Sequence, residues 1–482
     1  MTMKQRSPWL IFSLVAIAQF MVVLDISITN VALPTIKQTL HFSADSLQWV
    51  ITAYALTFGG FLLLGGRAAD LFGRRKTLLI GMLSFTTISF LIGISQSAFI
   101  LIVLRALQGL AAALMSPSAL SIVLTTFREG HERNRALGFW STIATGGAAV
   151  GLLLGGALTQ YLGWRWDFFI NVPIGLIVSF LISRVVPLHE SEATHNDLDL
   201  PGAGLVTSAL VLLVFLISVA PQWGVFSPPI LGLFALSILL LSAFIFNESR
   251  SNHPLVPLSI FKIRNVVGAN LMMAPVAATM FGNFFLLSLY IQTVMHYSPV
   301  MTGLSFLPFP IVMGYTSSRI AGFVYKYGYK RFLIAGPLLV ALSIGLLTRL
   351  PVDGNYFLNI FPSTVLMPLG MGITFMPIIA AATSGVSGDR AGLASGLINT
   401  SQQMGGALGL SILSGVAAAI TASSMNLGGL ASLVQGYDRA FFVAVIFLLF
   451  AAFLAVTVIK EIKHPKDQQG NQTSVKQQVS FD

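Results

Sequence analysis

The chain contains no cysteine, so disulfides, thiolate metal sites and cysteine nucleophiles are excluded, and the redox compartment leaves no trace in it. Charge is nearly as scarce: Asp, Glu, Lys and Arg make up 9% of the residues, against about 25% in an ordinary soluble domain. Apolar residues fill their place. They reach 55% of the composition, with a mean hydropathy of +0.82. They fall in runs of roughly 20, each long enough to cross a ~30 Å hydrocarbon core as a helix. The short alternating segments of a membrane barrel are missing, so the expected class is an all-α polytopic membrane protein.

Signatures of chemistry are also missing. None of the seven histidines lies deep in an apolar run, which argues against a histidine proton relay. Gly73-Arg74-Arg75-Lys76-Thr77 ends in Lys-Thr but lacks the Gly-x-x-x-x-Gly-Lys-Ser/Thr spacing that cradles phosphate, so ATP-driven pumping is not expected. No enzyme, metal site or cofactor is indicated. The formal charge of +10 could point to nucleic acid, but the basic residues sit in short connections between apolar runs, as positive-inside topology requires.

Fourteen spans are expected, at 9–32, 47–66, 77–96, 98–123, 136–160, 166–186, 201–220, 228–247, 265–294, 299–324, 331–350, 356–382, 391–421 and 437–460. An even number puts both termini on one side. Lys and Arg crowd the connections on that side, whereas the other side holds only Lys37, Arg165, Arg349 and Arg439, so both termini are expected in the cytoplasm of a multi-pass inner (cytoplasmic) membrane protein. The first run continues past the length of a signal h-region without a small-residue cleavage site and reads as an uncleaved span. Organisation follows from polarity: a six-helix bundle at 1–186, a linker with two additional spans at 187–264, a second six-helix bundle at 265–460, and a polar, Gln-rich, disordered cytoplasmic tail at 461–482.

Asp25 is the one acidic residue expected well inside a span, and an ionisable group there is a functional-site hypothesis by default. It lies about seven residues before the outer end of the first span, roughly 10 Å deep at 1.5 Å per residue. Arg105 enters from the same side on the fourth span, to similar depth. Opposite charges in lipid are expected to pair; a static structural pair is the plain alternative to a proton-coupling role. Candidates for a central substrate cavity are Gln19, Asn30, Tyr54, Asn399, Gln402 and Gln403 as polar or aromatic groups, with Met280 and Phe284 as adaptable apolar surface.

Between the second and third spans runs Gly65-Gly66-Arg67-Ala68-Ala69-Asp70-Leu71-Phe72-Gly73-Arg74-Arg75-Lys76. Gly73 permits a tight turn and Asp70 can accept hydrogen bonds at a helix end. The order Gly66-x-x-x-Asp70-x-x-Gly73-Arg74-Arg75 resembles the loop signature of the major facilitator superfamily. Arg105-Ala106-Leu107-Gln108-Gly109 is similar to the fourth-span motif of its drug:proton antiporters, whose Arg is implicated in proton coupling. Gly147-x-x-x-Gly151-x-x-x-Gly155-Gly156 resembles their fifth-span antiporter motif, with Leu152 where that motif carries Pro. Leu24-Asp25 through Pro34, Trp164-Arg165-Trp166-Asp167-Phe168-Phe169-Ile170-Asn171-Val172-Pro173, and Gly396 through Gly409 look like the fourteen-span branch. The second-half counterpart of the loop, Gly322 to Arg331, has Tyr325 where Asp70 falls in the first.

The resemblance implies two six-helix bundles with two extra central helices, a gating loop at Gly66–Arg75, proton coupling through Asp25 and Arg105, and alternating access. It further implies export of hydrophobic, often cationic drugs, with the proton as the only coupling ion. Competition between proton and cationic substrate for Asp25 would join the two fluxes. The expected partners are the lipid bilayer and a small amphiphilic substrate, with no nucleic acid and a monomer as the working unit. Export of an endogenous amphiphile or secondary metabolite is the competing transport reading, and a non-transporting membrane sensor is the alternative of a different class.

Overall fold

The structure is a computed structural model that describes residues 7–127, 131–187, 199–224, 226–251, 254, 256–386 and 391–461. Most of the linker acids and all but the first residue of the expected tail lie outside the described residues. Fourteen long helices run through the described residues. The first six are α1 (Pro8–Thr39), α2 (Trp49–Phe72), α3 (Arg74–Ile94), α4 (Ala98–Thr126), α5 (His131–Tyr161) and α6 (Trp166–Val185). Two more follow, α7 (Leu200–Trp223) and α8 (Pro228–Arg250). The last six are α9 (Arg264–Val294), α10 (Pro299–Val324), α11 (Lys330–Arg349), α12 (Tyr356–Thr383), α13 (Ala391–Ser423) and α14 (Gly429–Thr457). Thirteen of them carry a membrane-length apolar window among the described residues, and α5 matches them in length at 31 residues. There is no strand among the described residues.

Lipid offers no partner to a bare backbone, so each span must satisfy its own N–H and C=O groups as a helix. Polar side chains inside the spans follow the same rule: on α1, Ser27, Thr29 and Asn30 each donate to the carbonyl four residues back, at 3.0, 2.7 and 2.9 Å. Prolines within helices leave carbonyls free, and the fold uses them. Pro34 cannot donate to the Asn30 carbonyl, which instead accepts from the Ser288 hydroxyl of α9 at 2.9 Å. Pro117 frees the Ala113 carbonyl, and that oxygen faces Gly65, where a Cβ would lie 2.0 Å from it. Only glycine at 65 permits this crossing of α2 and α4.

With fourteen long helices in succession, the connections alternate between a terminal side, which carries the described ends Ser7 and Glu461, and a far side. One apolar cluster containing Met21, Phe85, Ala112 and Met115 binds helices of the α1–α6 group, and another containing Met272, Leu333, Ile378 and Leu454 binds helices of the α9–α14 group. At the far side a single cluster joins the two groups, with Val31 and Ile36 of α1 beside Tyr290, Phe306 and Leu448. Polar bonds reinforce that closure: Gln292 to the Val31 carbonyl at 2.9 Å, Ser414 to Gln48 at 2.6 Å, and the Val300 amide to Gln160 at 3.2 Å. Toward the terminal side the groups meet along α2 and α13, where Leu64, Ala394 and Leu397 pack with Ala203 of α7. α7 lies against α2, α13 and α8, while α8 turns most of its surface outward.

Candidate functional site

Asp25 and Arg105 meet in the far half of the first helix group. The Arg105 Nη1 donates to Asp25 Oδ2 at 2.6 Å, with both side chains at 1% exposure or less. Three helices complete the centre. Gln108 Nε2 and Asn171 Nδ2 donate to Asp25 Oδ1 at 2.9 and 3.3 Å; Gln108 also accepts from Arg105 at 2.6 Å and donates to Ser89 at 2.9 Å. Arg105 Nε reaches the Val50 carbonyl at 2.9 Å, and its guanidinium lies over the Tyr54 ring at 4.4 Å. A buried ion pair is tolerable only when its remaining lone pairs and protons are satisfied, and here the carboxylate has three donors while the guanidinium has three acceptors and an aromatic face.

Asp25 is not the sole buried acid. Asp167 is 1% exposed, accepts from the Thr159 hydroxyl at 2.6 Å, and leaves Oδ1 without a hydrogen-bond partner among the described residues. It precedes Asn171 by one turn and so shares its face. In sequence it stands at the outer end of the expected span 166–186, beside Arg165. The one-turn helix Trp166–Phe169 leads into the helix from Asn171 through Ile170, itself in the right-handed helical region, and so carries Asp167 onto the inward face of Asn171.

A cavity of about 300 Å³ lies between the two helix groups. From α1 it takes the stripe Val23, Ile26, Ser27 and Asn30, spaced i, i+3, i+4, i+7. Met280, Phe281 and Phe284 face it from α9, Phe309 and Met313 from α10, and Phe375 from α12. Gln402 and Gln403 of α13 supply its carboxamides. Of the residues expected to line a cavity, Asn30, Met280, Phe284, Gln402 and Gln403 do so. Gln19, Tyr54 and Asn399 do not. Gln19 is turned to α4, where Ser116 donates to it at 2.9 Å; Tyr54 lies under Arg105 in the ion-pair centre; Asn399 is exposed and shares the face of Gln402 and Gln403, but lies one turn nearer the terminal side, beyond the cavity wall. Asp25 is also absent from the wall, because it falls off the α1 stripe and is covered by α4 and α6.

The glycines of α5 face the helix that carries Asp25. A Cβ on Gly151 would lie 2.7 Å from Ser27 Cβ, and one on Gly155 would lie 2.9 Å from Ile28 Cα. Gly147 has more room, 3.2 Å from Phe20 and 3.3 Å from Val23 side-chain atoms. Gly156 points the other way, with a Cβ 2.7 Å from the Pro299 carbonyl oxygen of α10. Leu152 beside them is buried, and its carbonyl sits against Gly303 of α10; α5 runs on unbroken. This one helix therefore seals against α1 on one face and α10 on another.

On the terminal side, Gly73 takes φ 90° between α2 and α3, the left-handed region that glycine permits. Asp70 pairs with Arg74 at 3.7 Å, with side chains 65% and 32% exposed. Arg75 donates to the Ser183 carbonyl at the end of α6, and Arg67 to the Pro254 carbonyl at 2.9 Å. Gly66 has no neighbour closer than Pro117 Cβ at 3.6 Å from an added Cβ. The tight helix crossing belongs to Gly65.

Residues 15–410 match the profile of the Major Facilitator Superfamily. The puromycin resistance protein of Streptomyces alboniger is 39% identical over 464 residues, covering 94% of this chain and 92% of that one. The cephamycin export protein of Amycolatopsis lactamdurans is 38% identical over 440 residues, covering 91% and 90%. Among solved structures, an inward-facing, unoccupied bacterial homologue of the human lysosomal transporter Spinster superposes with a TM-score of 0.67 at 14% identity, over 94% of this chain and 97% of that one.

Proposed function

The chain belongs to the major facilitator superfamily, and we propose that it is a proton-coupled antiporter exporting hydrophobic drugs or antibiotics across the cytoplasmic membrane. It is a multi-pass transport protein and not an enzyme. The observation that carries the proposal is the placement of α1: one face holds the buried Asp25–Arg105 pair, another lines the cavity, and the α5 glycines grip the edge of that cavity face through Val23, Ser27 and Ile28. A change in charge at Asp25 is thus felt by the helix that touches the substrate space.

The proton is the coupling ion. Protonation of Asp25 removes the charge that Arg105 faces, which loosens α1 from α4 and lets the far-side closure through Asn30–Ser288, Val31–Gln292, Gln48–Ser414 and Gln160–Val300 open. Release of the proton to the cytoplasm restores the pair and the far-side seal. Each charge crossing 100 mV gains about 2.3 kcal/mol before any pH gradient is counted. The Asp70–Arg75 loop acts at the cytoplasmic gate, both termini lie in the cytoplasm, and a monomer in the bilayer is the working unit. Relatives named for the export of single compounds favour a second reading, in which the natural cargo is one small amphiphilic metabolite and drug export is incidental.

Everted vesicles from a host lacking its own efflux pumps test the proposal. Dye accumulation that collapses with a protonophore supports antiport; saturable dye binding with no accumulation would show a sensor instead.

A further inference from the structure

The cavity carries no ionisable side chain among its sixteen lining residues. Its polar groups are the hydroxyl of Ser27 and the carboxamides of Asn30, Gln402 and Gln403, set among Met280, Phe284 and other thioether and phenyl surfaces. Asp25 is the carboxylate nearest in sequence to the wall, yet its oxygens are already occupied by Arg105, Gln108 and Asn171. A cation entering this space would lose its hydration without meeting a counter-charge, which is strongly unfavourable. An uncharged guest meets no such cost. At the wall, Asn30 is 8% exposed and gives its Nδ2 to the Ile26 carbonyl at 2.9 Å, while its Oδ1 has no hydrogen-bond partner among the described residues and is itself covered, so a guest reaches it through a turn of the Asn30 side chain.

We infer that the cavity selects an uncharged, aromatic amphiphile bearing a hydrogen-bond donor for Asn30 Oδ1, and that proton and substrate occupy separate sites on different faces of α1. This rests on the export reading above and narrows it: competition for one carboxylate is replaced by coupling through the helix. A consequence follows from charge balance. Exchange of one proton for one uncharged molecule moves a net charge, so membrane potential alone drives accumulation, by about 50-fold per 100 mV for one-to-one exchange. One-to-one exchange for a monovalent cation would be electroneutral and indifferent to potential.

The probes are N-phenyl-1-naphthylamine, uncharged with one N–H, its N-methyl derivative without that donor, and ethidium, a permanent cation. With purified protein, the first is expected to bind saturably and ethidium at least tenfold more weakly. The N-methyl compound should bind about 3- to 10-fold more weakly than its parent to wild type and equally well to Asn30→Ala. Gln402→Glu, which supplies a carboxylate, should admit ethidium. Ethidium binding to wild type as tightly as the neutral probe, or no saturable binding of the neutral probe, would overturn the inference; no loss on N-methylation would overturn the Asn30 assignment. In proteoliposomes with an imposed potential and equal pH, the neutral probe should accumulate. If it binds as described but no proton or electrical gradient moves it, the export reading fails while the substrate class stands.

Discussion

Asp25 and Arg105 make a prediction that a surface ion pair would not. The pair is 2.6 Å apart with side chains at 0 and 1% exposure, so neither charge has water to fall back on. Asp25→Asn keeps the shape but leaves Arg105 charged and uncompensated, and whichever way the amide turns its N–H₂ meets a donor, Arg105 on one side or Gln108 and Asn171 on the other. Removing one partner of such a pair costs about 3–5 kcal/mol. Arg105→Gln strands the carboxylate instead, again leaving one buried charge without its partner. The double variant Asp25→Asn/Arg105→Gln contains no stranded charge and should recover about 2–3 kcal/mol relative to the sum of the singles. Equilibrium unfolding in mixed micelles, followed by far-ultraviolet circular dichroism, measures the cycle. Additivity of the two losses to within about 0.5 kcal/mol would refute the coupling.

Other outcomes follow from neighbouring contacts. Gly155→Ala meets the Ile28 backbone and should lose about 1–3 kcal/mol in the same unfolding assay, whereas Gly147→Ala meets only side chains and should lose less; the reverse order would contradict the α1–α5 packing. Asp70→Asn removes an exposed 3.7 Å pair and should change stability by less than ~1 kcal/mol while slowing turnover more than it weakens substrate binding; weakened binding at unchanged turnover would argue against a gating role. Ser288→Ala removes a bond to the Asn30 carbonyl worth about 0.5–1.5 kcal/mol, and should raise the far-side-open population severalfold. Because the chain contains no cysteine, spin labels on introduced cysteines across the far side can report that population directly, and an unchanged distance distribution would remove Ser288 from the closure.

The ion pair was legible in the sequence because depth along a helix is arithmetic: a fixed rise per residue put Asp25 and Arg105 at one level before any contact was known. Helix number was legible for a similar reason, since hydrocarbon thickness sets the length of an apolar run. Which way a side chain points across a bundle was not. Gln19 and Tyr54 have the polarity of cavity residues, but their faces are taken by Ser116 and Arg105, and only the arrangement of neighbouring helices decides that. Asp167 was hidden because it stands at the outer end of its span, where a carboxylate ordinarily meets water, and only the packing of α5 and α6 buries it beside Thr159. Gln108 stood in plain view, three residues from Arg105 and therefore on its face, and its role as a bridge among Asp25, Arg105 and Ser89 follows from that spacing. The α5 glycines announced a small-residue face through their spacing of four, while the identity of the helix against it, α1, came only from the fold.

Proton movement itself is the most direct test of the coupling assigned to Asp25. Purified protein reconstituted into proteoliposomes with an acidic lumen and a trapped pH-sensitive dye should show lumenal alkalinisation when a transported amphiphile is added outside wild type. Asp25→Asn/Arg105→Gln, folded by the unfolding criterion, should show none. Substrate-evoked proton efflux of wild-type size from that double variant would contradict the assignment of the coupling site.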